Sequence, residues 1–478
     1  MVLSFFDRHE EIRRLSRLLH RREGGLAVLY GRRRCGKSRL LGRVLDPARS
    51  IYYVGDERES VLQRAALAAE AARLLPGFDR VTYPGWDELF ARLWDEARPG
   101  TVVAIDEFPA LVAAAREIPG LLQKRLDRTT GRGVHVLLAG SSQRMMQGLV
   151  LDRTAPLYGR AAEIMKIAPL APGWIRPALS LQDAVAAVES FAVWGGVPRY
   201  WELAADYPNL DQAIRDLVLS PLGVLHDEPG GLLLDDTRDA AQAASILSLI
   251  GAGCHRLSEI AARLGKPATS LSRPLQRLVE LDIVRREAPF GVLARDSKRT
   301  LYRIADPFLA FWFRFVEPHR SRLAAAPIAP VAKAIARAFP GHVASVWEDL
   351  ARASVARMTC FGRSWKPAAR WWGPGLDRRP MEIDLVAESE DGRALLLGKA
   401  RWASAAEAAR LLAELRRKVA DFPLAGDREI FLGLWLKSAP KAGVLPGARK
   451  TRAARAGAAE TAGAVRVFTP EQVMRALR

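Results

Sequence analysis

Polar and apolar positions divide this chain into three textures. Up to about residue 168, short apolar runs alternate with amphipathic stretches: residues 26–30, 49–54, 101–108 and 134–139 read as buried strands, with 59–75 between them at helical spacing. Ahead of them, Phe6, Ile12, Leu15 and Leu18 or Leu19 recur at helical intervals, so residues 5–20 are expected to form a helix on the edge of a sheet. Strand, helix, strand in this rhythm predicts an α/β fold with a parallel sheet. From residue 237 the texture changes to short helices, at about 239–250, 257–264 and 269–281, then a strand at 283–286, a turn at Gly291 and a strand at 301–304. That is winged-helix order. The last texture begins beyond a Pro- and Ala-rich connector at 324–330. It holds a helix over 345–356, a strand over 381–387, a turn at Glu390-Asp391-Gly392 and strands over 394–397 and 465–468.

Chemistry concentrates where the first apolar run ends. Gly31-Arg32-Arg33-Arg34-Cys35-Gly36-Lys37-Ser38, continuing into Arg39, is a G-x-x-x-x-G-K-S loop between a strand and a helix. Its backbone N–H groups can face phosphate oxygens, Lys37 can reach the β and γ phosphates, and Ser38 can offer a hydroxyl to Mg2+. At 101–108 the run TVVAIDEF ends in two carboxylates. Asp106 is placed to hold Mg2+ and Glu107 to polarise an attacking water. The next apolar run leads into Ser141 and Ser142, either of which could orient water beside the γ-phosphate. Farther on, Arg160 follows a glycine and is a candidate arginine finger. These residues predict ATP and Mg2+ as cofactors.

Composition adjusts this picture modestly. The 478 residues are too many for one ordinary core and suggest about three domains. A net charge of +19 and a pI near 10.3 favour a polyanionic partner, with nucleic acid the natural candidate, although the chain is rich in Ala and Arg throughout. In a winged helix that reads DNA, the third helix enters the major groove, which would expose Ser270, Ser272, Arg273 and Arg277 to it. Cys35, Cys254 and Cys360 are too few and too scattered for a disulfide framework or a zinc site. No apolar run reaches membrane-spanning length, and the opening MVLSFFDRHEEIRRL lacks an apolar signal core, so the expected location is the cytoplasm.

Taken together, FFDRHEEIRRL, LYGRRRCGKSRLL, VVAIDEF, LLAGSS, PLYGR and WGGVPRYW resemble the prokaryotic archaeal-type ATPases of the AAA/STAND P-loop group. The resemblance implies a P-loop ATPase core over 1–168, a helical lid over 169–236 beginning near Trp194–Tyr200, a winged helix over 237–320 and a restriction-endonuclease-like α/β domain over 321–478. It implies that Asp384 matches the first acid of a nuclease centre and that Glu348 could match a helix acid. The following acid-x-lysine does not match, because GKARW puts Lys399 where an acid belongs and Arg401 where the lysine belongs. A cation repels Mg2+, so a nuclease fold without metal-dependent cleavage is expected. The resulting expectation is an ATP-hydrolysing switch that couples nucleotide state to DNA or a protein partner, with a homo-oligomer implied if Arg160 acts in trans. The alternatives are an ATP-regulated endonuclease and a scaffold that holds ATP without turnover.

Overall fold

A computed structural model describes residues 4–128, 133–237, 239–292, 299–439 and 464–478. The basic tail anticipated over 437–455, with Lys441, Arg449, Lys450, Arg452 and Arg455, lies outside these residues apart from its beginning at Lys437. Helix α1 (His9–Leu19) buries Leu15, Leu18 and Leu19. Strands β1 (Gly25–Tyr30), β2 (Ser50–Val54), β3 (Val102–Asp106), β4 (His135–Gly140) and β5 (Ala161–Lys166) form one sheet in the order β2-β3-β4-β1-β5. Every pairing in it is parallel. Helix α2 (Lys37–Val44) starts directly from the glycine-rich loop after β1. β3 and β4 are buried along their whole length, as continuous apolar runs in a sheet covered on both faces must be. This is the P-loop nucleoside-triphosphatase fold.

A helical group follows, with α3 (Ala184–Trp194) and α4 (Pro198–Ala204) joined through Gly195-Gly196. A side chain at Gly196 would lie 2.3 Å from the carbonyl oxygen of Leu170, so the turn closes only with glycine there. Next come α5 (Ala240–Gly251), α6 (Leu257–Leu264), α7 (Ala268–Glu280) and the antiparallel pair β6 (Val284–Glu287) and β7 (Leu301–Ile304). The helix-turn-helix region with its wing therefore sits where the sequence pattern places it. In α8 (Pro307–Phe315), Phe308, Phe311, Trp312, Phe313 and Phe315 are all buried, which makes this aromatic run core.

The clearest departure from the sequence pattern is α9 (Ala329–Val355), a 27-residue helix that begins well before residue 345 and takes in the last two residues of the proline-rich connector. Pro330 falls in its first turn, where a missing N–H breaks no bond. Pro340 is tolerated inside because Val331, Ile335, Val343, Trp347 and Leu350 are all buried. The last sheet, in the order β12-β11-β10-β9-β8, is mixed. It comprises β8 (Ala369–Pro374), β9 (Pro380–Glu388), β10 (Ala394–Ala400), β11 (Glu429–Trp435) and β12 (Val465–Phe468), with α10 (Ala408–Ala420) crossing between β10 and β11. β8-β9 and β9-β10 are antiparallel, whereas β10-β11 and β11-β12 are parallel.

Candidate nucleotide-binding site

The loop after β1 is shaped by its backbone. Gly31 has φ 151°, and a side chain there would lie 2.4 Å from the Ile167 carbonyl oxygen beyond β5. Gly36, at φ 90°, and Arg34, at φ 67°, take left-handed conformations that curl the loop before α2. Arg8, buried at the start of α1, donates to the carbonyl oxygens of Cys35, at 3.3 Å, and of Ala168. The loop is thereby fixed to the helix that precedes the sheet.

Within the loop, Lys37 Nζ donates to the carbonyl oxygens of Gly31 at 2.9 Å and Arg32 at 3.2 Å. Ser38 Oγ donates to Asp106 Oδ2 at 2.5 Å, and Tyr52 from the neighbouring strand donates its hydroxyl to the same oxygen at 2.9 Å. Asp106 is 2% exposed and lies at the C-terminal end of β3, so two neutral hydroxyls satisfy a buried carboxylate. Burial and the adjacent Asp106 charge push the Tyr52 phenol well above its ordinary pKa, keeping it a donor. Glu107 has a left-handed backbone, φ 47°. Its carboxylate accepts from Ser141 Oγ at 2.5 Å and from Ser141 N at 3.2 Å. Ser142 instead caps the short helix Gln143–Met146 by accepting from Met145 N. A cavity of about 340 Å³ opens over Lys37, Ser38, Glu107 and Ser141, with Arg33 and Arg199 at its sides.

Several candidates are placed otherwise than the motif suggests. Arg32 turns away from the cavity into the interior, where it pairs with Asp306 at 2.6 Å and donates to Tyr200 Oη at 3.1 Å. Asp306 also caps α8 through Leu309 N. Cys35 is buried against the sheet. Arg34 pairs with Glu228 at 2.5 Å, and Arg39 with Glu202 at 2.8 Å, so acids of the helical group engage both side chains. Arg199, exposed beside the cavity, pairs with Glu202 at 3.2 Å. The contribution of Arg32, Arg34, Cys35 and Arg39 to a phosphate cradle is thus through backbone, or requires these pairs to open.

Arg160 does not reach the cavity of its own chain. It immediately precedes β5, whose first residue aligns with Leu26 near the start of β1, while the glycine-rich loop lies past the other end. There it pairs with Asp127 at 2.8 Å. Arg277 is corrected as well: it is half-buried, donates to Gln147 Oε1 at 3.1 Å and pairs with Glu280 at 3.2 Å, so the end of α7 faces the ATPase sheet's own helices. Gln143 Nε2 adds a bond to the Leu281 carbonyl oxygen at 3.4 Å, and Lys166 pairs with Asp282. Ser270, Ser272 and Arg273, nearer the start of α7, remain exposed.

A second acidic centre lies in the last sheet. Asp384 on β9 is 3% exposed and accepts from Ala400 N at 3.1 Å. Lys399 Nζ, also buried, stands 3.6 Å from Asp384 Oδ1 and 3.3 Å from Glu414 Oε1 on α10. Arg401 approaches Glu348 at 3.1 Å and Asp384 at 4.0 Å. Burial, with Asp384 adding to it, raises the Glu348 pKa to about 7, although Arg401 works against the shift. Among the described residues no cluster of three or more His, Cys, Asp or Glu could hold a metal ion.

Comparisons with known proteins follow the same three regions. Residues 5–174 match an ATPase domain predominantly from Archaea, residues 240–288 an IclR helix-turn-helix domain, and residues 312–411 a family of archaeal and bacterial proteins of unknown function. The front of the chain is therefore similar to an ATPase domain, and the segment over 240–288 to a helix-turn-helix. An uncharacterized protein of Methanocaldococcus jannaschii is 27% identical over 406 residues, covering 83% of this chain and 87% of that one. Among solved structures, the Walker-type ATPase of Pyrococcus abyssi has 22% identity and a TM-score of 0.49, covering 65% of this chain and 96% of its own. The ORC2 protein of Aeropyrum pernix, in its ADPNP and ADP complexes, has 15% identity and a TM-score of 0.46, covering 70% and 96%.

Tyr52, Glu228, Glu202 and Asp306 are the site residues that sequence reasoning missed. Asp306-Pro307 carried a helix-cap signal, but nothing pointed to Arg32; Tyr52 lay inside an apolar run with no signal at all.

Proposed function

We propose that the protein is an ATP-hydrolysing switch whose nucleotide state governs DNA binding by its helix-turn-helix region. The observation that carries this reading is the joint placement of Ser38, Asp106, Glu107 and Ser141 around one cavity beside Lys37. Bound Mg2+ would take the place between Ser38 and Asp106 that a hydrogen bond now fills, and it would neutralise charge on the phosphates. Glu107 would act as general base once Ser141 releases it. Lys37 would exchange its two loop carbonyls for phosphate oxygens. Arg33 and the backbone N–H groups of residues 31–39 complete the cradle.

Coupling would run through two contacts. Arg32 joins the loop to Asp306 at the head of α8, and Gln143 and Gln147, just past Ser141, meet the end of α7. In this arrangement only the start of α7, with Ser270 and Arg273, is open to a DNA backbone. The C-terminal domain is read as a restriction-endonuclease-like core without cleavage, because Lys399 fills the place where a metal would sit. No helix among the described residues is long and apolar enough to cross a membrane, which fits a cytoplasmic setting. An Arg160 finger would have to act in trans, in a homo-oligomer.

Phosphate release from ATP, with and without duplex DNA, tests the reading. Glu107→Gln should keep nucleotide binding and slow hydrolysis by about 10²- to 10⁴-fold. Wild-type turnover in that variant would exclude Glu107 as the base, and no release under either condition would favour the non-hydrolysing scaffold.

A further inference from the structure

A second cavity, of about 350 Å³, lies among the wing strands, α8 and α9, away from the glycine-rich loop. Its walls include Arg285, Arg303, Arg314, His255 and Asp349. The charges around it do not balance. Arg285 pairs with Asp349 at 2.6 Å and Glu287 at 2.7 Å, Arg303 reaches Glu287 at 3.3 Å, and Arg352 also pairs with Asp349. Three guanidinium groups thus share two carboxylates, and Arg314 is a fourth with no carboxylate partner among the described residues. Arg314 stacks its guanidinium at 5.1 Å from the Phe315 ring centroid and lies close over Gly341, where a side chain would come within 3.8 Å of it.

Burial holds the half-buried Arg303 guanidinium below its ordinary pKa, with Glu287 only partly offsetting the shift. His255, lowered in the same direction by burial and by Arg303, supplies no counter-charge. A concave, half-enclosed space of this volume is large enough for a small metabolite. Bidentate geometry makes arginine the side chain suited to planar or tetrahedral oxyanions.

We propose that this cavity is a second ligand site, taking a small polyanion that presents phosphate or carboxylate groups to Arg314 and Arg303. It is separate from the ATP site and does not depend on hydrolysis there. Its position gives the ligand leverage, since it would touch the wing, the helix capped by Asp306, and the long helix α9 that leads into the last sheet.

The test is isothermal titration of full-length Lys37→Ala protein, in which the glycine-rich loop is disabled, with pyrophosphate and with citrate at matched ionic strength. Saturable binding of either is expected, and the tighter one assigns the headgroup as phosphate or carboxylate. Adding Arg314→Ala should weaken it at least tenfold, Arg314→Lys should recover part of the loss, and Arg73→Ala, at an exposed position outside the cavity lining, should leave it unchanged. Because Arg314 is exposed and in no ion pair among the described residues, the thermal midpoint of Arg314→Ala should fall only slightly, through the lost stacking on Phe315. No saturable binding, or equal binding after Arg314→Ala, would overturn the proposal.

Discussion

Two buried aspartates, Asp106 and Asp384, face opposite fates in this molecule. Asp106 is satisfied by the hydroxyls of Ser38 and Tyr52, neutral groups that a cation can displace or share. Asp384 faces Lys399 and Arg401, whose charge is part of the chain and cannot leave. In the proposed reading the first carboxylate would receive an incoming ion, while the second already has its counterion covalently attached. A carboxylate at a strand end therefore identifies a metal site only when the groups around it are neutral.

The comparison breaks most severely if Lys399 is removed. Lys399→Met should destabilise the protein by up to about 3–5 kcal/mol, because buried Asp384 would keep only Arg401, at 4.0 Å, and Glu414 only Lys418. Urea unfolding measures this, and an unchanged midpoint would mean that Lys399 is not the counterion. The double change Lys399→Glu with Arg401→Lys should make Mg2+ raise the thermal midpoint by more than it does in the parent.

Glu348 gives the next effect. Its folded pKa of about 7, against an ordinary 4.5, means that the folded chain retains a proton that the unfolded chain releases. Stability should therefore fall as pH rises from about 4.5 to about 7, by up to roughly 3 kcal/mol. Glu348→Gln should flatten that slope in urea titrations at several pH values. Smallest is Tyr52→Phe, which deletes one hydrogen bond to Asp106. It should weaken Mg2+-nucleotide binding by about 0.5–1.5 kcal/mol, roughly two- to twelvefold, with the fold intact by circular dichroism.

What could be read from the sequence was what the chain does locally. The glycine-rich loop and the Asp106-Glu107 pair are legible because spacing and backbone conformation define them, and the apolar runs reveal β3 and β4. Lys399 could be recognised as a cation in an acid's place, but its second partner, Glu414, comes from a helix whose facing no spacing predicts. Arg160 misleads for a topological reason: β5 runs parallel to β1, so a residue just before it is carried to the end of the sheet opposite the loop. Pro330 marked the end of the expected connector, yet α9 starts just before it and burial along the helix also tolerates Pro340. Arg277 looked exposed on helical periodicity alone, and only the docking of α7 against Gln147 shows otherwise.

The pair between Arg32 and Asp306 also has a consequence in time. The two residues are 274 positions apart, and Arg32 belongs to the loop at the heart of the nucleotide site. At about 5–20 residues per second, a ribosome would take roughly 14–55 s to add Asp306 after Arg32. During that interval the nascent ATPase sheet can assemble, but its loop holds a guanidinium whose buried partner does not yet exist. The site is completed only when the helix-turn-helix has been made, so a chain cut short before residue 306 would carry the whole motif without its anchor.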